Sequence, residues 1–149
     1  MQNLVLRKAT HEDLGDILRL QIAVFKGEQG IPDELIPIPA EKSPQWWCAI
    51  LNSTIVGAVA TWKECDETHW GRFATMQNFR GYQIGSSLAR FSLHELFAQS
   101  VDEIHMDARD IIVKTLNRMG GLVVGDSMPF YRGTVTPMIL TRSGLIFNR

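Results

Sequence analysis

The sequence predicts an α/β (α+β) fold: a mixed, mostly antiparallel sheet of about six to seven strands, with helices on both faces. Three observations carry that expectation. Apolar runs over 46–76 are joined by short turns, which requires antiparallel neighbours. The strand–helix–strand run over 70–106 requires a parallel crossover. Between them, residues 72–88 (RFATMQNFRGYQIGSSL) pass from an apolar run through a basic, glycine-punctuated turn into a helix.

In chain order, Leu4-Val5-Leu6 is a short strand closed by Arg7 and Lys8. Thr10 suits a helix N-cap, and Asp13 completes a capping-box-like start. Leu14, Ile17, Leu18, Leu20, Val24 and Phe25 recur near helical spacing, which predicts a helix over 11–25 that ends at Gly27. Residues 26–45 hold four of the six prolines and two glycines, which breaks any long element. Ile31, Leu35, Ile36 and Ile38 need cover, so this stretch reads as a loop packed over the domain. Strands follow at 46–51 and 54–63 with Asn52-Ser53 as the hairpin turn. Gly57 marks a bulge or a close backbone approach. Residues 64–69 (ECDETH) read as a polar connection into a strand over 70–76. A helix over about 84–99, a strand over 101–106 and a helix over 110–119 come next. Gly120-Gly121 stops that helix, and strands at 122–124 and 135–141 flank a loop over 125–133.

The composition excludes several classes. The 149 residues suit one domain spanning 1–149, and 45% hydrophobic with 21% charged residues describes an ordinary globular chain. A net charge of −1 gives no case for nucleic-acid binding. Cys48 and Cys65 form no CxxC or zinc-finger spacing, so no metal is expected and free thiols in a reducing compartment are. No apolar run reaches membrane-spanning length, and the first residues lack the pattern of a signal or transit peptide. The expected location is cytoplasmic.

The chemistry centres on Arg80-Gly81-Tyr82-Gln83-Ile84-Gly85. A strand, a tight loop and a helix start turn unpaired amides and a positive dipole end toward an anion. Arg80 can add a charge-assisted contact to a phosphate. The same residues also suit a turn that uses glycine only to bend. Glu28-Gln29 is the most reactive-looking pair of the 26–45 loop, against a solvated surface glutamate.

This order, with this loop in the middle, resembles the GNAT superfamily of acyl-CoA N-acyltransferases over essentially the whole chain. The family loop pattern is Arg/Gln-x-x-Gly-x-Gly/Ala, and here Gln83 replaces its middle glycine. Val24-Phe25-Lys26-Gly27-Glu28-Gln29 resembles the Val-Phe-x-x-Glu-Gln segment of the ElaA-like branch. The resemblance implies acetyl-CoA as co-substrate and direct attack of a primary amine on its thioester in a ternary complex. It places pantetheine along Phe73, Ala74 and Thr75, and pyrophosphate on the amides of Gly81, Tyr82, Gln83, Ile84, Gly85 and Ser86, with Ser86 capping the helix. It implies a small-molecule or peptide amine acceptor, and a homodimer, which is common in the superfamily.

Two family features are missing. Leu116 stands where a thiolate-protonating tyrosine is usual, and Val135-Thr136 where the ElaA-like branch tends to carry Pro-His. Glu28 is the first general-base candidate, Glu64 the second, and Tyr131 a substitute acid. His69 reads as turn material, and His94 and His105 as element residues. The alternative reading, favoured by Gln83, Leu116 and Thr136, is a catalytically degenerate acyl-CoA-binding or regulatory domain.

Overall fold

The computed structural model describes residues 3–145. Eight strands form one sheet: β1 (Val5–Lys8), β2 (Gln45–Leu51), β3 (Thr54–Glu64), β4 (Glu67–Thr75), β5 (Glu103–Arg109), β6 (Leu122–Val123), β7 (Met128–Phe130) and β8 (Gly133–Thr141). Their order is β1-β2-β3-β4-β5-β8-β6, with β7 also paired to β8. Every pairing is antiparallel except β4 with β5. The helices are α1 (Leu14–Gln21), α2 (Ile84–Ala98) and α3 (Asp110–Arg118).

Helices do cover both faces. Leu88, Leu93 and Leu96 of α2 and Leu116 of α3 bury against Trp47, Val59, Ile104 and Leu140 of the sheet. On the opposite face, Ile17 and Leu20 of α1 join Val24, Phe25, Ile31 and Ile36 over Cys48, Ala58 and Ala74. The proline-rich loop is therefore part of the second core through Ile31 and Ile36, whereas Leu35, expected to need cover, stays exposed and Ile38 is only partly buried. Both cysteines are free, Cys48 buried and Cys65 exposed. Among the described residues, no helix is long and apolar enough to cross a membrane.

Four boundaries differ from the sequence expectation. The first helix does not stop at Gly27; α1 widens into a π-helical segment, Ile22–Glu28, and Gly30 at φ +73° makes the turn instead. Residues 64–69 are not a connection. Cys65 and Asp66 take the two left-handed positions of a tight hairpin, so β4 starts at Glu67 and His69 lies inside it. β5 runs to Arg109, three residues beyond the expected end. The loop over 125–133 contains β7, an edge strand, where Pro129 can be accommodated.

The start of the first helix is held from three directions. The Asp13 carboxylate accepts the Thr10 N–H at 2.7 Å and Arg7 Nη1 and Nη2 at 2.7 and 3.1 Å. These bonds, that to Arg7 foremost, hold its pKa well below the usual carboxylate range. A depressed carboxylate stabilises the fold above its unfolded pKa, and that contribution is lost as pH falls through the folded value. Asp13→Ala is expected to cost about 1–2 kcal/mol by urea unfolding at neutral pH. The deficit relative to the parent chain should shrink in strong acid, where both lack the carboxylate charge.

Candidate active site

β4 and β5 pair only at Thr68↔Ile104 and His69↔His105, and beyond that point they separate. The cause is visible on the other side of β4. Arg72 and Phe73 together oppose Val59 alone, a bulge that bends β4, with Arg72 at φ +56°. The buried Gln21 side chain donates to the Arg72 carbonyl at 2.8 Å and fixes the bulge from α1. The Arg72 guanidinium donates to the carbonyls of Ile36 and Leu35 at 3.0 and 3.1 Å, which ties the proline-rich loop to β4. Its charge lies 5.4 Å from the Trp62 ring centre. Burial pushes its pKa down.

The separation opens a cleft of 620 Å³. Val24, Phe25, Ile31 and Ile36 form an apolar wall on the α1 side. The β4 residues Trp70 to Thr75 and the β5 residues Asp107 to Arg109 form its flanks. Gly81, Gln83, Gly85 and Ser86 line the end where α2 begins.

That end has the geometry of an anion cradle. Gln83 takes the left-handed conformation, φ 65° and ψ 14°, and is the N-cap of α2. Ser87 N–H makes the first helical bond, to the Gln83 carbonyl at 3.0 Å. The amides of Ile84, Gly85 and Ser86 precede it in the first turn, whose N–H groups have no intrahelical acceptor. Ser86 does not cap the helix. Its hydroxyl sits in the first turn and donates back to Gln83 at 3.2 Å. A side chain on Gly85 would meet Phe73 Cζ at 2.9 Å and Thr75 Oγ1 at 3.4 Å, so glycine is what lets α2 start this close to β4. Thr75 Oγ1 lines the same place, buried and without a hydrogen-bond partner. An orphaned hydroxyl of that kind suits a ligand bond.

Most of the expected cofactor residues meet here. Phe73, Ala74, Thr75, Arg80, Gly81, Gln83, Gly85 and Ser86 line the cleft. Tyr82 does not; its side chain is exposed. Ile84 is buried in the α2 core and can contribute only backbone.

The catalytic candidates separate. Glu28 lines the cleft, but its two carboxylate oxygens accept Arg80 Nη1 at 2.7 Å and Arg80 Nη2 at 3.0 Å. Arg80 Nε donates to the Thr75 carbonyl at 3.0 Å, so the pair bridges the π-helical segment and the end of β4. Glu64 lies outside the cleft. It pairs with Lys42 at 2.8 Å and accepts Trp62 Nε1 at 3.3 Å, and the Lys42 bond lowers its pKa. Tyr131 is half-exposed in the turn between β7 and β8, edge-on to Phe130, and does not line the cleft. Leu116 is fully buried. Thr136 is closed off by Ser127, 2.6 Å between hydroxyls.

Three residues were overlooked as site residues in the sequence. Asp107, exposed on β5, lines the cleft, and its side chain makes no hydrogen bond or ion pair among the described residues. Arg109 donates to the Phe130 carbonyl at 2.8 Å and to Gln29 Oε1. Arg72 is the third. The alternation of His105, Asp107 and Arg109 against Ile104, Met106 and Ala108 was the available signal, had the strand been extended.

The Acetyltransferase (GNAT) family profile matches residues 14–113, about two thirds of the chain. This chain belongs to the GNAT family. The family transfers acyl groups from acyl-CoA, so this chain is an acyltransferase. Its fold is shared with solved structures at low identity. Escherichia coli ElaA superposes with a TM-score of 0.77 at 19% identity, covering 93% of this chain and 99% of that one. An acyl-CoA N-acyltransferase from Pseudomonas aeruginosa gives 0.73 at 17% identity, covering 92% and 97%. PaiA N-acetyltransferase from Thermoplasma acidophilum, solved with coenzyme A, gives 0.69 at 12% identity, covering 94% and 99%. No curated protein matches the sequence. The GNAT expectation agrees with the family match, and the likeness to ElaA is one of fold.

Proposed function

We propose that this GNAT domain is an N-acetyltransferase moving an acetyl group from acetyl-CoA to a primary amine by direct attack in a ternary complex. The observation that carries the reading is the opening between β4 and β5, which reaches from the α2 amides to the apolar wall of α1. Acetyl-CoA, when bound, supplies the activated thioester carbon. The amides at residues 84–86 suit its pyrophosphate, and Gly81, at φ +87° with open space around it, lets the loop backbone approach. The β4 edge at Phe73, Ala74 and Thr75, unpaired by β5, can hydrogen-bond pantetheine, and the Thr75 hydroxyl gains the partner it lacks.

An attacking ammonium must lose a proton, and a carboxylate in the cleft is the natural acceptor. Asp107 has free oxygens, whereas those of Glu28 are held by Arg80. Asp107 is therefore assigned as the base, and Glu28 positions Arg80 beside the phosphate loop. Glu28→Gln should reduce turnover less than Asp107→Asn, and the reverse order would return the base role to Glu28. The cleft offers no tyrosine for the departing thiolate, since Leu116 fills that place. Backbone amides of the β4 edge are the available oxyanion donors.

The buried Leu116 and the closed-off Thr136 favour a second reading, acyl-CoA binding without turnover. The two separate cleanly. CoA is expected to raise the Tm of the chain, and Arg80→Ala to weaken that shift. Thiol release from acetyl-CoA with members of an amine panel supports the enzyme; tight CoA binding with no acceptor-dependent release supports the binding domain. A Tm unmoved by saturating CoA removes both.

A further inference from the structure

Charge in the cleft is unevenly matched. Glu28 and Arg80 neutralise each other through two parallel bonds. What remains is Arg72 and Arg109 against the single carboxylate of Asp107. Among the described residues, neither guanidinium has a carboxylate within ion-pair distance. Each uses two N–H groups of five, on neutral oxygens: carbonyls of Ile36 and Leu35 for Arg72, Phe130 and Gln29 for Arg109. Both are desolvated enough that burial lowers their pKa. Glu64 and Asp110 offset part of that lowering at longer range, for Arg72 and Arg109 respectively, without contact. Partly buried cations with no carboxylate in contact are costly as structural elements and suit an anionic ligand.

The spacing narrows the ligand. Asp107 and Arg109 stand two residues apart on one face of β5, about 7 Å along the strand. Side chains converging from those positions can hold an ammonium and an adjacent carboxylate at once. Arg109 is fixed for the purpose, gripped between Gln29 of the π-helical end and Phe130 of β7, its charge 5.1 Å from the Phe130 ring centre. Val24, Phe25, Ile31 and Ile36 supply an apolar surface in the same cleft. The phosphates of CoA have their own cradle at residues 84–86.

We infer that the acceptor is a free amino acid with an apolar side chain, its carboxylate bound by Arg109 with Arg72 as a second cation, and its amine set against Asp107. This rests on the amine-acceptor reading above, but its test reads binding and needs no turnover. L-leucine, L-leucinamide and isoamylamine are titrated calorimetrically into the CoA-saturated protein. Leucine is expected to bind at least about tenfold more tightly than either compound lacking the carboxylate, as a charge-assisted bond supplies. In Arg109→Gln that ratio should fall to within about twofold of one, and in Arg109→Lys, which keeps the charge but loses the fork that holds it in place, it should fall to an intermediate value.

Equal affinity for the three compounds, or binding of none, overturns the inference. So does an Arg109→Gln protein whose CoA affinity drops tenfold, because the cation then belongs to the cofactor phosphates. A chain that binds leucine in this way yet releases no thiol from acetyl-CoA leaves the inference standing and removes the proposed turnover.

Discussion

Asp107→Asn is expected to lower kcat/KM for the amine by about 10²- to 10⁴-fold, the usual range for loss of a general base. The loss should be read as thiol release at saturating acetyl-CoA. Asparagine keeps the shape of the side chain and removes only its ability to take a proton. The Asp107 side chain makes no hydrogen bond or ion pair within the described residues, so the substitution breaks no side-chain bond. Tm should stay within about 1–2 °C of the parent, since surface changes away from such contacts cost little. A large loss of turnover with an unchanged Tm assigns the proton transfer. Turnover within threefold of the parent would take the base role from Asp107.

Gly85→Val is expected to abolish the CoA-induced rise in Tm. The first added carbon would already sit 2.9 Å from Phe73 Cζ, and that ring is stacked on Trp70 at 5.7 Å between centres. The ring, partly buried against the core, and the start of α2 must shift apart. The amides at residues 84–86 move with the helix start, out of line with the β4 edge. Overpacking of this kind costs about 1–3 kcal/mol, which leaves the chain folded and testable. Gly81→Ala makes the informative contrast. Nothing lies within 4 Å of its added carbon, and the penalty comes only from φ +87°, about 1–2 kcal/mol. Gly81→Ala, which puts a methyl where the loop backbone approaches the ligand, should reduce the CoA-induced shift without abolishing it. A full shift retained by Gly85→Val would place the pyrophosphate elsewhere.

Much of this site was readable without coordinates because its signals are local. An apolar run, a basic glycine turn and a helical period sit within 72–88, and each depends on near neighbours in the chain. The N-terminal capping residues Thr10 and Asp13 were legible for the same reason. Element ends were less so. Asp107 and Arg109 fell between the expected strand over 101–106 and the expected helix over 110–119, because Ala108 is a weak apolar alternate with which to extend the strand. Glu67 to His69 looked like a polar connection, until Cys65 and Asp66 proved to make the turn alone.

The pairing of Arg80 with Glu28 is of another kind. The two stand 52 positions apart, and nothing in either local sequence announces the other. Both were singled out, one for the phosphate and one for the proton, and the fold joins them in one ion pair. Tyr131 and Glu64 went the opposite way, each plausible by chemistry and each set outside the cleft by the course of a turn or a strand end.

The sequence by itself determined the strand–loop–helix over 72–88 and the two-sided sheet, since local periodicity and glycine placement specify these, and its loop motif carried the resemblance to the acyl-CoA family. Only the tertiary structure decided which charges reach the cleft and which are spent on one another. Separation of β4 from β5, and pairing across 52 residues, arise from packing between elements that no short stretch of sequence contains.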